Sequence, residues 1–243
     1  MADTILIGTV HVDHKGHERL ERMLDHFRPS IVCLEHTPKT ATHGWKMHQD
    51  LAKKFTETPW HKIYTHEQIA RVKSELMSSY YEEWVPKAYK DGSPTIRLLC
   101  LDKELTPELN RALSYQEQLW FMQQMSEGKS MGDLLTPVDA NITDFVERGS
   151  EEEHQRYVDN TYDKTSPAEF ISSYGYEIFR MAVLERDRNF AKQIKELRDE
   201  NPERIIVATL GNMHIFGDYA GSTYDLLSGL NPKRFKLKEA DSL

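Results

Sequence analysis

The sequence predicts an α/β fold: a largely parallel central sheet flanked by helices, with a large helical insertion. Three observations predict it. Short apolar, β-branched runs recur along the chain, and amphipathic stretches of helical spacing lie between them. Alternation of this kind gives parallel sheets, because a helix must carry the chain back to the start of each next strand. The length, 243 residues, fits one domain with a buried core of its own.

The first run, Thr4 to Val10, is followed by Gly16 to Phe27, where Leu20, Met23, Leu24 and Phe27 recur at helical spacing. Pro29 then stops the helix. Ile31 to Leu34 is the second strand, so the chain opens β-α-β, read as a parallel pair with a right-handed crossover. Ile96 to Leu101 and Ile205 to Leu210 are the third and fourth strands, and a weaker fifth lies near Arg234 to Leu237. Between them, Glu67 to Tyr89 puts Ile69, Val72, Leu76, Tyr80 and Trp84 on one helical face. Pro107 to Met125 also reads as helix, with its proline where a missing N–H costs nothing. Met131 to Thr165 is polar and broken by Gly and Pro. Residues 1–243 therefore read as a single α/β domain, with 45–173 as a mostly helical insertion around one strand and a candidate lid.

The balance of 31 basic and 39 acidic side chains gives a net charge of −8. That argues against nucleic acid or an anionic membrane as partner, since both attract basic surfaces. No run approaches the length of a membrane span, and a strand begins too early for a signal peptide. Cys33 and Cys100 both sit inside apolar runs and read as buried reduced thiols. A cytoplasmic protein is expected, acting on a small molecule or a peptide. Monomer and homo-oligomer are both left open.

The chemistry collects where the strands end. The first runs into Gly8-Thr9-Val10-His11, the second ends at Glu35, the third at Asp102, and the fourth runs into Gly211-Asn212-Met213-His214. In open α/β sheets ligands bind just beyond the carboxyl ends of the strands. Each residue alone has an ordinary reading: a histidine capping a helix, a glutamate paired with a lysine. Two matching Gly-x-x-His strand ends lower the odds of coincidence. Two imidazoles plus a carboxylate suit a divalent transition metal with open positions. Asp102 reads as a supporting or turn residue.

Arg186 stands out by periodicity. On a helix from Tyr174 to Leu197 it fills the slot between Val183 and Phe190 in the stripe Phe179, Val183, Phe190, Ile194, Leu197. A core-facing arginine must find an anion or water: it snorkels to solvent, pairs with a structural Asp, or points to the strand rim, toward Glu35 or a substrate oxyanion. The remaining histidines follow no defensible ligand spacing, and His14 and His17 are expected on the exposed start of the first helix.

Ile-Gly-Thr-Val-His11, Cys-Leu-Glu35, Glu185-Arg186-Asp187 followed by Phe190-Ala191, and Leu-Gly-Asn-Met-His214 together resemble the TraB/PrgY/TIKI superfamily, related to erythromycin-esterase-like and ChaN-like proteins. The agreement in order runs from residue 5 to about residue 227, and only the combination of motifs is specific. The resemblance implies a metal-dependent hydrolase, with His11, His214 and Glu35 in the site and Arg186 matching the family arginine. Some members bind pheromone or haem rather than catalyse.

The expectation is hydrolysis of an amide or ester bond. His11 and His214 would hold Mn²⁺, Co²⁺ or Zn²⁺, Glu35 would be a third ligand or the general base, and Arg186 would steady the oxyanion. Two alternatives stand beside it. In one, a histidine–glutamate pair activates water without metal. In the other, the cleft sequesters a peptide, haem or metal without turnover.

Overall fold

Five parallel strands form one sheet in the order β3-β2-β4-β1-β5. They are β1 (Thr4–Thr9), β2 (Ile31–Leu34), β3 (Arg97–Cys100), β4 (Ile206–Gly211) and β5 (Lys233–Lys236). The structure, a computed structural model, describes residues 2–11, 13–57, 80–104, 151–163 and 165–243, with isolated positions between 65 and 106. The helix expected over Glu67 to Tyr89 is described from Tyr80 onward. Its earlier part, the helix expected over Pro107 to Met125 and the polar stretch up to residue 150 lie almost wholly outside the described residues. So does about half of the candidate lid.

Before the third strand the described helices are α1 (Gly16–Phe27), α2 (Pro38–Glu57) and α3 (Tyr81–Gly92). After it come α4 (Glu151–Asp163), α5 (Pro167–Tyr174), α6 (Tyr176–Phe179) and α7 (Glu185–Glu200), then α8 (Asn212–Phe216) and α9 (Thr223–Leu226). They cover both faces of the sheet, and alternation along each strand sorts the core into two halves. Ile5 and Ile7 of β1 point to the side of α1 and α3, against Leu20, Met23, Leu24, Tyr81 and Val85. Leu6 points the other way, with Ile206, Ala208 and Leu210 of β4, onto Phe190, Ala191 and Ile194 of α7. The period of two in side-chain direction thus becomes two apolar layers around one sheet. Among the described residues no helix is long and apolar enough to cross a membrane.

The first helix spans Gly16–Phe27, as its apolar spacing predicts, and closes with Arg28 in the left-handed conformation (φ 48°) just before Pro29. β1 and β2 are parallel but do not pair, contrary to the β-α-β expectation. β4 lies between them, its register running Thr4↔Ile206 to Thr9↔Gly211 on one side and Ile31↔Ile206 to Leu34↔Thr209 on the other. Physically, Ile206 to Leu210 is apolar on both faces and buried throughout, so it takes an interior place. β5, rich in Lys and Arg, takes one edge, where charge discourages further strand pairing.

His14 is buried and His17 half-buried, not exposed as expected. The chain tightens between β1 and α1, with the Asp13 amide donating to the Val10 carbonyl and the Gly16 amide to that of Asp13. Asp13 anchors this turn. It is fully buried, pairs with Arg19 at 2.8 Å and accepts the Tyr162 hydroxyl at 2.9 Å from α4. Leu20 is wholly buried at the centre of that layer. Leu20→Ala should cost about 2–5 kcal/mol by loss of transfer energy and an unfilled cavity, read as a lower urea midpoint with an unchanged slope.

Candidate functional site

The three interior strands, β2, β4 and β1, end side by side and deliver Glu35, His214 and His11 to the same edge. The β2–β4 ladder continues one residue past β2, where the Glu35 amide donates to the Thr209 carbonyl at 3.2 Å. This sets the Glu35 carboxylate over Gly211. Its Oε2 accepts the Gly211 amide, and a Cβ at Gly211 would stand 3.1 Å from that oxygen. Glycine 8 has a matching role. A Cβ there would lie 2.6 Å from Asn212 Oδ1 and 3.1 Å from the Phe216 ring, both on α8. The first Gly-x-x-His motif therefore packs directly on the second. Gly8→Ala should cost about 1–3 kcal/mol, because neither neighbour can retreat without disturbing α8, and a thermal melt will read it.

Glu35 Oε1 is shared by two cations. Arg186 Nη2 donates to it at 2.7 Å and His214 Nε2 at 3.2 Å. Arg186 also donates from Nε to Asp102 Oδ2 at 3.0 Å, and its Nη2 forms an ion pair with the same oxygen at 2.8 Å. Asp102 meanwhile accepts the Lys103 amide, at 2.9 Å, so it both shapes its own turn and holds the arginine. His214 Nδ1 lies 2.9 Å from Asp187 Oδ1. Burial pushes the Glu35 carboxyl up, but His214, Arg186 and the Gly211 amide overrule it and hold it well below the usual carboxylate range. Burial likewise opposes a proton on His214. Glu35 and Asp187 outweigh it and raise the imidazole to about 9.

His11 lies at the other side of this edge, close enough to Glu35 for their charges to interact, but it bonds elsewhere. Its Nδ1 meets Glu82 Oε2, from the first turn of α3. The Glu82 side chain is 9% exposed and that of His11 68%, so the ring leans on a buried carboxylate and opens to water. Glu82 raises the His11 imidazole above its ordinary value, and solvent around the ring screens the pair. Burial pushes Glu82 up, and His11 more than reverses it. The chain reaches this position through Tyr80, left-handed at φ 57°, a conformation that costs a bulky residue about 1 kcal/mol or more. Next to Glu82, Glu83 is raised to about 8 by burial and by its neighbour's charge. His36 stands 3.6 Å from it and is lowered by burial.

Of the residues singled out in the sequence, Glu35, Asp102, Arg186 and His214 form one bonded network, and His11 flanks it with a partner of its own. Glu82, Glu83, His36 and Asp187 were not foreseen. Asp187 had a signal: it too falls between Val183 and Phe190 at helical spacing. The helix before it contains a π turn at Arg180–Leu184, closed by the Glu185 amide on the Arg180 carbonyl. Beyond it, on regular α-helix, Asp187 is the fully buried position and Arg186 stays at the rim. Glu82 had no such signal, being 71 residues from His11 and off the apolar stripe of Tyr80 and Trp84.

The donors do not fit the expected metal. Among the described residues no group of three or more His, Cys, Asp and Glu side chains stands so as to hold an ion. Both nitrogens of His214 are engaged, Glu35 is occupied by a guanidinium, an imidazole and an amide, and His11 turns to Glu82. A guanidinium on the same carboxylate oxygen further opposes a second cation.

No protein-family model, no curated protein and no solved structure matches the chain.

His214 has a consequence for stability. Its pairing is present in full below the ordinary imidazole value of 6.5 and is lost as the pH rises through about 9. Glu35 works in the opposite sense, its contribution being present above 4.5 and lost as the pH falls. The stability gap between the protein and a His214→Asn variant should narrow steadily from pH 6.5 to about 9. A gap that does not change over that interval would mean His214 is neutral.

Proposed function

We propose that the chain hydrolyses an amide or ester bond, and that the His11–Glu82 pair activates the attacking water. The observation that carries this reading is the pair itself. A buried carboxylate fixes Nδ1 of a ring whose remaining surface faces solvent, which leaves Nε2 for a water proton. The TraB/PrgY/TIKI resemblance supports the same reaction class.

Glu35 is ill suited to be the base, since both its oxygens already accept strong donors. It serves instead to hold Arg186 and His214. Arg186 reaches the rim with 24% of its side chain exposed, and among the described residues its Nη1 makes a single 3.4 Å bond, to the Ala182 carbonyl. That nitrogen is placed to receive the carbonyl oxygen of a substrate as it gains charge, a contribution of about 3 kcal/mol for a well-aimed donor. In the reaction the water proton passes to His11 Nε2 while hydroxide adds to the carbonyl carbon. The same proton then goes to the leaving alcohol or amine as its bond to carbon breaks.

A panel of simple esters and peptides tests the proposal. Hydrolysis should survive chelators and fall about 10²–10⁴-fold in His11→Ala. Because Glu82 raises the His11 value, the neutral ring, and with it the rate, should rise only above pH 6.5. Glu82→Gln should shift that rise to lower pH while slowing the maximum. A rate abolished by chelation and restored by Mn²⁺, Co²⁺ or Zn²⁺ would put a metal in place of His11 as the activator of water. Binding of a peptide with no turnover of any substrate would sink the hydrolase reading altogether.

A further inference from the structure

Asp187 is a wholly buried carboxylate on a helix whose buried stripe is otherwise apolar down to Ile194. Four donors converge on it. His214 Nδ1 and the Thr223 amide reach Oδ1 at 2.9 Å each, and the hydroxyls of Thr223 and Tyr219 reach Oδ1 and Oδ2 at 2.5 Å. Thr223 opens α9 and Tyr219 lies in the loop before it. Burial and the charge of Asp187 push the Tyr219 phenol up, which keeps it a donor. With the Thr223 amide and hydroxyl already on Oδ1, the carboxylate can only accept, so the hydrogen of the fourth contact belongs to His214 Nδ1. This fixes the plane of the ring and directs the Nε2–H to Glu35 Oε1. Phe190 packs edge-on against the same ring with centroids 5.3 Å apart, closing off the other tilt.

The neighbour of Asp187 in sequence does the complementary task. Arg186 bonds Glu35 Oε1 directly, and Asp187 reaches the same oxygen through His214. Two consecutive residues thus grip one carboxylate from two directions. We propose that Asp187 is a positioning residue for the reaction: by orienting His214 it holds Glu35, and through Glu35 it sets where Arg186 presents its free edge to the substrate. The proposal rests on the hydrolase reading for its kinetic arm alone.

The experiment compares Asp187→Asn and Asp187→Glu with the parent protein, by nitrogen-15 NMR of the imidazoles and by kinetics on the best ester of the panel. The parent should show a slowly exchanging His214 Nδ1–H signal. Asp187→Asn should lose it, and kcat should drop by about tenfold or more with KM within about twofold. Asp187→Glu, which keeps the charge, should recover the signal and part of kcat. A lowered melting temperature with the signal and kcat both kept would overturn the proposal, as would a lost signal with unchanged kcat. Should Asp187→Asn not fold, Asp187→Glu decides: a retained signal with reduced kcat supports the role, and full kcat overturns it. If the parent hydrolyses nothing, the hydrolase reading fails, while the NMR arm still tells whether Asp187 orients His214.

Discussion

Glu35 is an anion placed where three strands end and almost no water reaches. An unpaired carboxylate in such a position would cost several kcal/mol or would simply take up a proton. The surroundings supply one guanidinium, one imidazole and one backbone amide, and each of these in turn makes a demand. The amide requires glycine at 211, where a side chain would crowd the carboxylate oxygen. The guanidinium requires Asp102 to share its charge. The imidazole requires Asp187. Satisfying one buried charge therefore fixes residues on the turn after β3, on α7, at the end of β4 and on α8.

His11 stands outside this closed arrangement and differs from His214 in every physical respect. One ring has both nitrogens engaged and is sealed from water, whereas the other has one nitrogen engaged and an open face. The two Gly-x-x-His motifs look alike in sequence and end adjacent strands one residue out of step, Thr9 opposite Gly211. Their likeness comes from the strand end, where glycine admits a close neighbour. Their difference comes from what each meets next: Glu82 of a helix from the insertion in one case, and the core-facing side of α7 in the other.

The sheet was legible because its strands are apolar runs with sharp ends, and its carboxyl edge followed from them. Glu35, Asp102, Arg186 and His214 were legible as a site because each ends a strand or breaks an apolar stripe. The strand order was less so, since β-α-β reads the same whether the two strands touch or leave room for a third. Glu82 was hidden because nothing local distinguishes a buried glutamate from a solvated one on the first turn of a helix. Asp187 could not be told from its neighbour: both Arg186 and Asp187 fall between Val183 and Phe190 at helical spacing, and no periodicity reveals the π turn that precedes them.

That turn makes the long helix a geared shaft. One residue beyond the ordinary repeat rotates everything before it by about 100° relative to everything after. The portion from Glu185 onward can stay meshed with the sheet through Phe190 and Ile194, while the portion carrying Phe179 meets the loop of Tyr219 at an independent setting, ring centroids 5.4 Å apart. The two portions of the helix are thus set in phase independently of each other. A change that relaxed the π turn to plain α geometry would swing Phe179 out of its contact with Tyr219 and leave the packed half of the shaft where it is.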